Sequence, residues 1–215
     1  QNIESMLSQT RPYVFFMSEC LLDTETKSRL ENRHNFVTEM MGDKERIWAA
    51  VRNTVPYTRR TDLELPGITS IWLEFGTGSS KYMIIGVYRE FKRLGVPGSR
   101  DVSQQIIRWK RFMEQVNKYV TNTNNECHVM GDMNLNTEKW AQLGCRNTSW
   151  PYTKMVDELY DKLINGAGFT LSETEGPTWI SIDGSRSSVL DLHLCNDSSK
   201  VKSVTTTKEY LGDHH

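Results

Sequence analysis

Residues 126–134 read Glu126-Cys127-His128-Val129-Met130-Gly131-Asp132-Met133-Asn134, a strand-like run closed by a carboxylate and an amide two positions apart. In extended chain, residues two apart project to the same face, so Asp132 and Asn134 are expected to meet one substrate group together. A carboxylate oxygen can bind a metal or take a proton from water, and an amide can donate to an oxyanion. Asp and Asn are also ordinary turn formers after a strand, so the motif needs support from elsewhere in the chain.

That support comes from three more places. Tyr13-Val14-Phe15-Phe16-Met17 is a strand-like run followed closely by Glu19. Leu190, Leu192 and Leu194 alternate with Asp191 and His193, which puts the leucines on one strand face and the polar pair on the other. The chain ends on Gly212-Asp213-His214-His215. Acids at the ends of separate strands, with a late Asp-His pair, point to metal-assisted hydrolysis.

Around these elements the periodicity predicts both helices and strands. Residues 2–10 read as the end of a helix, and Arg46 to Val51 and Val55 to Thr61 as possible strands. Gly67 to Phe75 and Lys81 to Tyr88 form a hairpin about Gly76-Thr77-Gly78-Ser79-Ser80. Asp101 opens a helix whose apolar face carries Ile106, Trp109, Phe112, Met113 and Val116. Thr153 to Ile164 is a second amphipathic helix, ended by Gly166 and Gly168. Thr178 to Ile182 and Ser188 to Leu194 read as another hairpin, and Val201 to Thr207 as a last β-rich run. Hairpins mixed with long helices predict a layered α/β or α+β domain.

Composition narrows the class. A chain of 215 residues fits a single domain over residues 1–215. No apolar run approaches the roughly 20 residues that span a bilayer, so no membrane is expected among the partners. Cys20, Cys127, Cys145 and Cys195 are scattered, without zinc-knuckle spacing, and read as small buried hydrophobes in a reducing compartment. With 26 basic and 27 acidic residues the net charge is −1, so any affinity for nucleic acid must come from local patches. Arg59-Arg60, Arg89 to Arg93 and Arg108 to Arg111 are the candidates, the last more naturally a solvated helix face. Trp72 and Trp179 read as core aromatics rather than base-stacking platforms.

The ordered set Glu19, Gly131-Asp132-Met133-Asn134, Leu190-Asp191 and Asp213-His214 resembles the endonuclease/exonuclease/phosphatase superfamily, which includes DNase I-like nucleases. Ser70-Ile71-Trp72-Leu73-Glu74, Gly86-Val87-Tyr88-Arg89-Glu90-Phe91 and His128 to Asn136 resemble in particular the endonuclease domains of non-LTR retrotransposon polyproteins. The similarity runs from about Ser5 to the last residue. It implies a four-layer sandwich in which two β-sheets pack face to face with helices outside. The chain departs from the pattern in lacking the family's first strand and its last core strand, and so reads as a fragment of the domain. Ser18 and Gly212 stand where the family usually has Gln and Ser.

The resemblance also implies roles. Glu19 and Asp213 would bind Mg²⁺, or Mn²⁺ in its place. Asp132 would align or deprotonate the attacking water, and Asn134 would contact the phosphate. Asp191 would orient His214, whose protonated ring faces a phosphate, and the Tyr88 hydroxyl would reach the scissile group. Arg89 and Arg93 would bind the DNA backbone. The implied activity is DNA nicking that leaves a 3′-hydroxyl for a reverse transcriptase in the same polyprotein, by a domain that is monomeric, intracellular and nuclear. A phosphoesterase acting on a phospholipid, an inositol phosphate or an RNA tail is the alternative enzyme. A catalytically dead nucleic-acid- or protein-binding remnant is the alternative of another class.

Overall fold

The computed structural model describes residues 3–18, 24–41, 44–89, 102–138 and 152–206. Among the described residues the main helices are α1 (Ile3–Thr10), α2 (Thr24–Glu31), α3 (Val102–Thr123) and α4 (Thr153–Leu159), the last continuing as a π-helical turn over Tyr160–Asn165. The strands are β1 (Val14–Ser18), β2 (His34–Met41), β3 (Lys44–Arg52), β4 (Tyr57–Arg59), β5 (Thr69–Phe75), β6 (Tyr82–Tyr88), β7 (Glu126–Asp132), β8 (Thr170–Leu171), β9 (Trp179–Ile180), β10 (Ser187–Ser188) and β11 (Asp191–Cys195). They form a three-stranded sheet in the order β1-β3-β2, a six-stranded sheet in the order β4-β5-β6-β7-β11-β8, and a two-stranded β10-β9 ribbon.

Side-chain alternation builds the layers. Ile71, Leu73 and Phe75 of β5 meet Ile47, Ala49 and Val51 of β3, forming the core between the two sheets. On the opposite face, Trp72, Met83, Ile85, Val87 and Val129 pack against Trp109, Phe112, Met113 and Val116 of α3 and Met155, Val156 and Leu159 of α4. Strand β5 is therefore buried on both sides, which is why its sequence is apolar almost throughout. In β3 the alternate residues Trp48 and Ala50 are buried on the outer face, where the Phe15 ring meets Trp48 edge-on. At one end of that outer face stand Leu7 of α1 and Leu30 of α2. Helices, sheet, sheet and helices give the expected four layers.

Two junctions place the site. β6 and β7 run parallel, joined through α3, so both finish at the same end of the sheet. Asn124, at φ 53°, stops α3 by donating its N–H to the Val120 carbonyl at 2.8 Å. Phe16 of β1 lies over Gly86 of β6, where an added Cβ would fall 2.2 Å from the ring. The first sheet can approach the second closely there only because Gly86 has no side chain.

Some expected elements differ. The run Ser188 to Leu194 is not one strand: Ser187–Ser188 pairs with β9, and Asp191–Cys195 joins the main sheet. The Thr178 hydroxyl accepts from the N–H groups of both Leu190 and Asp191, at 2.9 and 3.0 Å, and so occupies the backbone between the two segments. Residues 201–206 form no strand, and Thr207 lies outside the described residues. Strand β2, helix α2 and strand β8 have no counterpart in the sequence reading. Among the described residues no helix is long and apolar enough to cross a membrane.

Candidate active site

At the finishing ends of β6 and β7 the backbone is drawn unusually tight. Gly131 has φ 135°, and a Cβ there would sit 2.1 Å from the Val87 carbonyl oxygen. One residue on, the Arg89 N–H donates to the Asp132 carbonyl at 2.9 Å and extends the parallel ladder beyond both strands. Asp132 is thus delivered at the sheet's end with its residue only 2% exposed.

Asp132 and Asn134 do meet, though not through strand alternation. Asn134 takes a left-handed turn at φ 49°, a conformation that Asn tolerates better than most residues. Its backbone N–H then donates to Asp132 Oδ1 at 2.9 Å, and its Nδ2 donates to Oδ2 at 3.0 Å. The same Nδ2 donates to the Arg89 carbonyl at 2.8 Å. Both amide hydrogens are committed, so Asn134 holds the carboxylate in place instead of presenting a free donor to a phosphate.

Arg89 likewise departs from its expected role as a solvent-facing DNA contact. It is 7% exposed, and its guanidinium donates to the carbonyls of Met133 and Asn134 while lying 4.9 Å from the centre of the Tyr152 ring. Arginine carries a forked set of donors that can hold two adjacent carbonyls at once, and here it clamps the turn that follows β7. Its Nη1 is buried with no hydrogen-bond partner among the described residues. Burial lowers its pKa to about 10, against the opposing pull of Tyr152, Asp132 and Tyr88, so it stays cationic at neutral pH.

Asp191 enters from the antiparallel neighbour. It begins β11 and is the register partner of Asp132, so both side chains leave the same face of the sheet. The Met133 N–H, donating to the Leu190 carbonyl at 3.0 Å, ties the turn to this strand. Tyr88 ends β6 at the same end, with its ring buried in the core between the sheets. Two hard carboxylate donors side by side suit a divalent cation with oxygen preference. Glu19, Arg93, Asp213 and His214 lie outside the described residues. Among the described residues, no group of three or more His, Cys, Asp or Glu is placed to hold a metal ion.

One cluster was not anticipated. His193 and His128 stack on the face that carries the two aspartates, with ring centres 5.3 Å apart and His193 Nε2 lying 3.0 Å from His128 Nδ1. Ser172 Oγ closes one end at 2.8 Å from His193 Nδ1, and Glu126 the other at 2.8 Å from His128 Nε2. Burial, with His128 adding to it, lowers the His193 pKa to about 4, which keeps the ring neutral near pH 7. In sequence the only signal is two histidines on strands, and the β7–β11 register is what brings them together. Cys127 and Cys195 are free and buried, as expected, and Cys20 and Cys145 lie outside the described residues. Trp72 is a fully buried core residue.

A family model described as endonuclease-reverse transcriptase matches residues 82–215, more than half of the chain. The endonuclease domain of TRAS1, a telomere-specific non-LTR retrotransposon, superposes with a TM-score of 0.57 at 14% identity, covering 89% of this chain and 76% of that one. D. rerio TDP2, solved with a single-strand DNA product, gives 0.54 at 14% identity, covering 90% and 74%. The human Nocturnin catalytic domain, solved with a bound sulfate anion, gives 0.55 at 12% identity, covering 90% and 73%. At these identities the structures show a common fold. No functionally curated protein matches the sequence.

Proposed function

This chain belongs to the endonuclease-reverse transcriptase family, within the DNase I-like endonuclease/exonuclease/phosphatase superfamily, and we propose that it is a divalent-metal-dependent phosphodiesterase that nicks DNA. The observation that carries the reading is Asp132, fixed through both carboxylate oxygens by Asn134 and faced across the ladder by Asp191. In this reading Asp132 takes a proton from the attacking water, whose oxygen bonds to phosphorus as the opposite P–O3′ bond breaks and the departing O3′ takes a proton from solvent. The products are a 5′-phosphate and a 3′-hydroxyl. Asn134 and Arg89 are positioning residues for Asp132, because their hydrogen bonds end on its carboxylate and on the turn behind it. Tyr88 contributes its hydroxyl from the same end of the sheet. Asp191 orients His214, and Glu19 and Asp213 would hold Mg²⁺ or Mn²⁺ beside the acid pair. When bound, the ion would supply charge compensation for the phosphoryl oxygens and the departing oxygen. Arg93 would meet the DNA backbone. The protein would act in the nucleus beside a reverse transcriptase of the same polyprotein. The likeness to the TRAS1 domain and to TDP2 with its DNA product supports a nucleic-acid substrate.

Supercoiled plasmid in Mg²⁺ or Mn²⁺ tests the reaction class. We expect relaxed circles, no cleavage with chelator, and a rate lowered about 10²-fold or more by Asp132→Ala, with DNA binding retained. Phosphate release from an inositol phosphate without nicking would transfer the assignment to the alternative phosphoesterase. DNA binding without any hydrolysis would mark a binding module.

A further inference from the structure

The opposite end of the sandwich carries a cleft that the candidate active site does not use. Tyr13, just before β1, lies near enough to Tyr82 at the start of β6 to affect its ionisation, and Phe16 sits over Gly86. β1 and β6 therefore run the same way. Arg52, which ends β3 and lies over the Tyr13 ring at 4.6 Å, marks the starting end of β6, while Asp132 marks the finishing end. A seven-residue strand separates the two places by about 20 Å.

The cleft spans about 940 Å³ between the end of α1, the end of α2 and the end of the β2–β3 pair at His34 and Arg52. Its apolar floor is Leu7 and Leu30, and four arginines line it: Arg11, Arg29, Arg33 and Arg52. No carboxylate occurs among the described residues lining it. Arg52 is occupied in donating to the carbonyls of Arg11 and Pro12. Arg29 meets Glu25 at 3.1 Å and donates from Nη2 to Thr26 Oγ1 at 3.4 Å, so Arg11 and Arg33 are the guanidinium groups that the cleft offers first. His34 completes the wall. It is 7% exposed, its ring is hydrogen-bonded to the Leu30 backbone, and its Nδ1 is buried with no partner among the described residues.

We propose that this cleft binds a nucleoside phosphate. Guanidinium groups without a lining carboxylate match a phosphate, which they can grip through paired N–H donors. The volume is far larger than a bare phosphate fills, and lies within the roughly 300–1,000 Å³ usual for small-molecule sites. Leu7 and Leu30, 4% and 6% exposed, give a narrow apolar floor, and the aliphatic stems of the lining arginines add to the apolar surface that a sugar and base require. The ligand's source is either a free nucleotide or a nucleotide within a single strand, since both present the same chemistry.

The test uses the whole protein with chelator present, so that a metal-assisted contact at the acid pair does not contribute. Adenosine triphosphate, a short single-stranded oligonucleotide and inorganic pyrophosphate are titrated separately by calorimetry, and the bound complexes are mapped by hydrogen–deuterium exchange. We expect protection of residues 29–34 and 52–54, and affinity about tenfold or more weaker in Arg33→Glu, the loss of one charge-assisted bond. Asp132→Asn should leave that binding intact. Binding of triphosphate in this pattern identifies a free nucleotide, and of the oligonucleotide alone, a strand. Arg33→Gln repeats the measurement should the charge reversal lower the unfolding temperature. Absence of binding by both nucleotide probes, binding indifferent to both Arg33 substitutions, or pyrophosphate binding as tightly as the nucleotide would overturn the proposal.

Discussion

Asp191 stands directly opposite Asp132 in the β7–β11 ladder, so two carboxylates share one face of the sheet with Cβ atoms about 5 Å apart. Like charges in that relation repel, and a divalent cation held beside them would offset the repulsion. Mg²⁺ or Mn²⁺ should therefore raise the unfolding temperature of the native protein, and raise it markedly less in Asp191→Asn. Equal shifts in the two proteins, read by calorimetry, would detach this acid pair from metal binding.

Asn134 separates two effects that one substitution would merge. Replacement by Gly keeps the left-handed turn and removes the amide clamp, whereas Ala removes the clamp and adds backbone strain. Asn134→Ala should be less stable than Asn134→Gly by about 1 kcal/mol, measured from denaturant midpoints. Both should lose nicking activity to a similar degree, because both remove the Nδ2 bond to Asp132 Oδ2 and leave only the backbone N–H on Oδ1. Full activity in the Gly variant would show that the clamp is dispensable.

His193 gives the fold a pH limb of predictable sign. Its folded pKa, about 4, lies below the ordinary histidine value of 6.5, so the unfolded chain binds the extra proton first. The contribution to stability is complete above pH 6.5 and is lost as pH falls towards 4. Asp183, whose carboxyl is held at about 2 by Ser181 and Ser185, acts only in more acid solution. The urea midpoint should thus decline between pH 7 and 4, and decline less in His193→Gln. Parallel profiles would remove His193 as the cause.

Salt dependence of duplex binding should be shallow. Arg59 is held by Glu64 at 2.9 Å, and Arg60 by Asp62 and Glu74 at 2.7 and 2.9 Å, so neither offers an unpaired cation. Arg89 is buried as well. A log–log slope of about −1 to −3 is expected, with micromolar or weaker affinity at physiological salt. A slope near −8 would reveal a DNA-facing surface much more basic than these residues make.

The elements legible in the sequence are those whose signal is local. The β5–β6 hairpin, the apolar face of α3 and the strand ending in Asp132 all follow from periodicity and turn chemistry within short windows. Helix α2 escaped because, among its residues, only Leu30 is buried. The division of the run from Ser188 to Leu194 depends on the Thr178 hydroxyl, a partner twelve and thirteen residues distant. The burial of Arg89 is hidden from the sequence for a similar reason. Its neighbour Glu90 and the basic run beyond suggest a surface, but Tyr152 and the turn after β7 bury it. Asp132 and Asp191 were each legible alone, and their partnership required the register.

That register also fixes when the acid pair can come into being. β7 is made directly after α3, and can pair with β6 as soon as it is complete. Its other edge must wait while α4, β8 and the β9–β10 ribbon are synthesised, because β11 follows all of them in the chain. Until then a growing polypeptide carries Asp132 beside an unpaired strand edge, the kind of surface that joins wrong partners. A ribosome that stops short of β11 thus releases a chain with half its acid pair and an adhesive margin. Quality control, more than catalysis, would be the first to notice it.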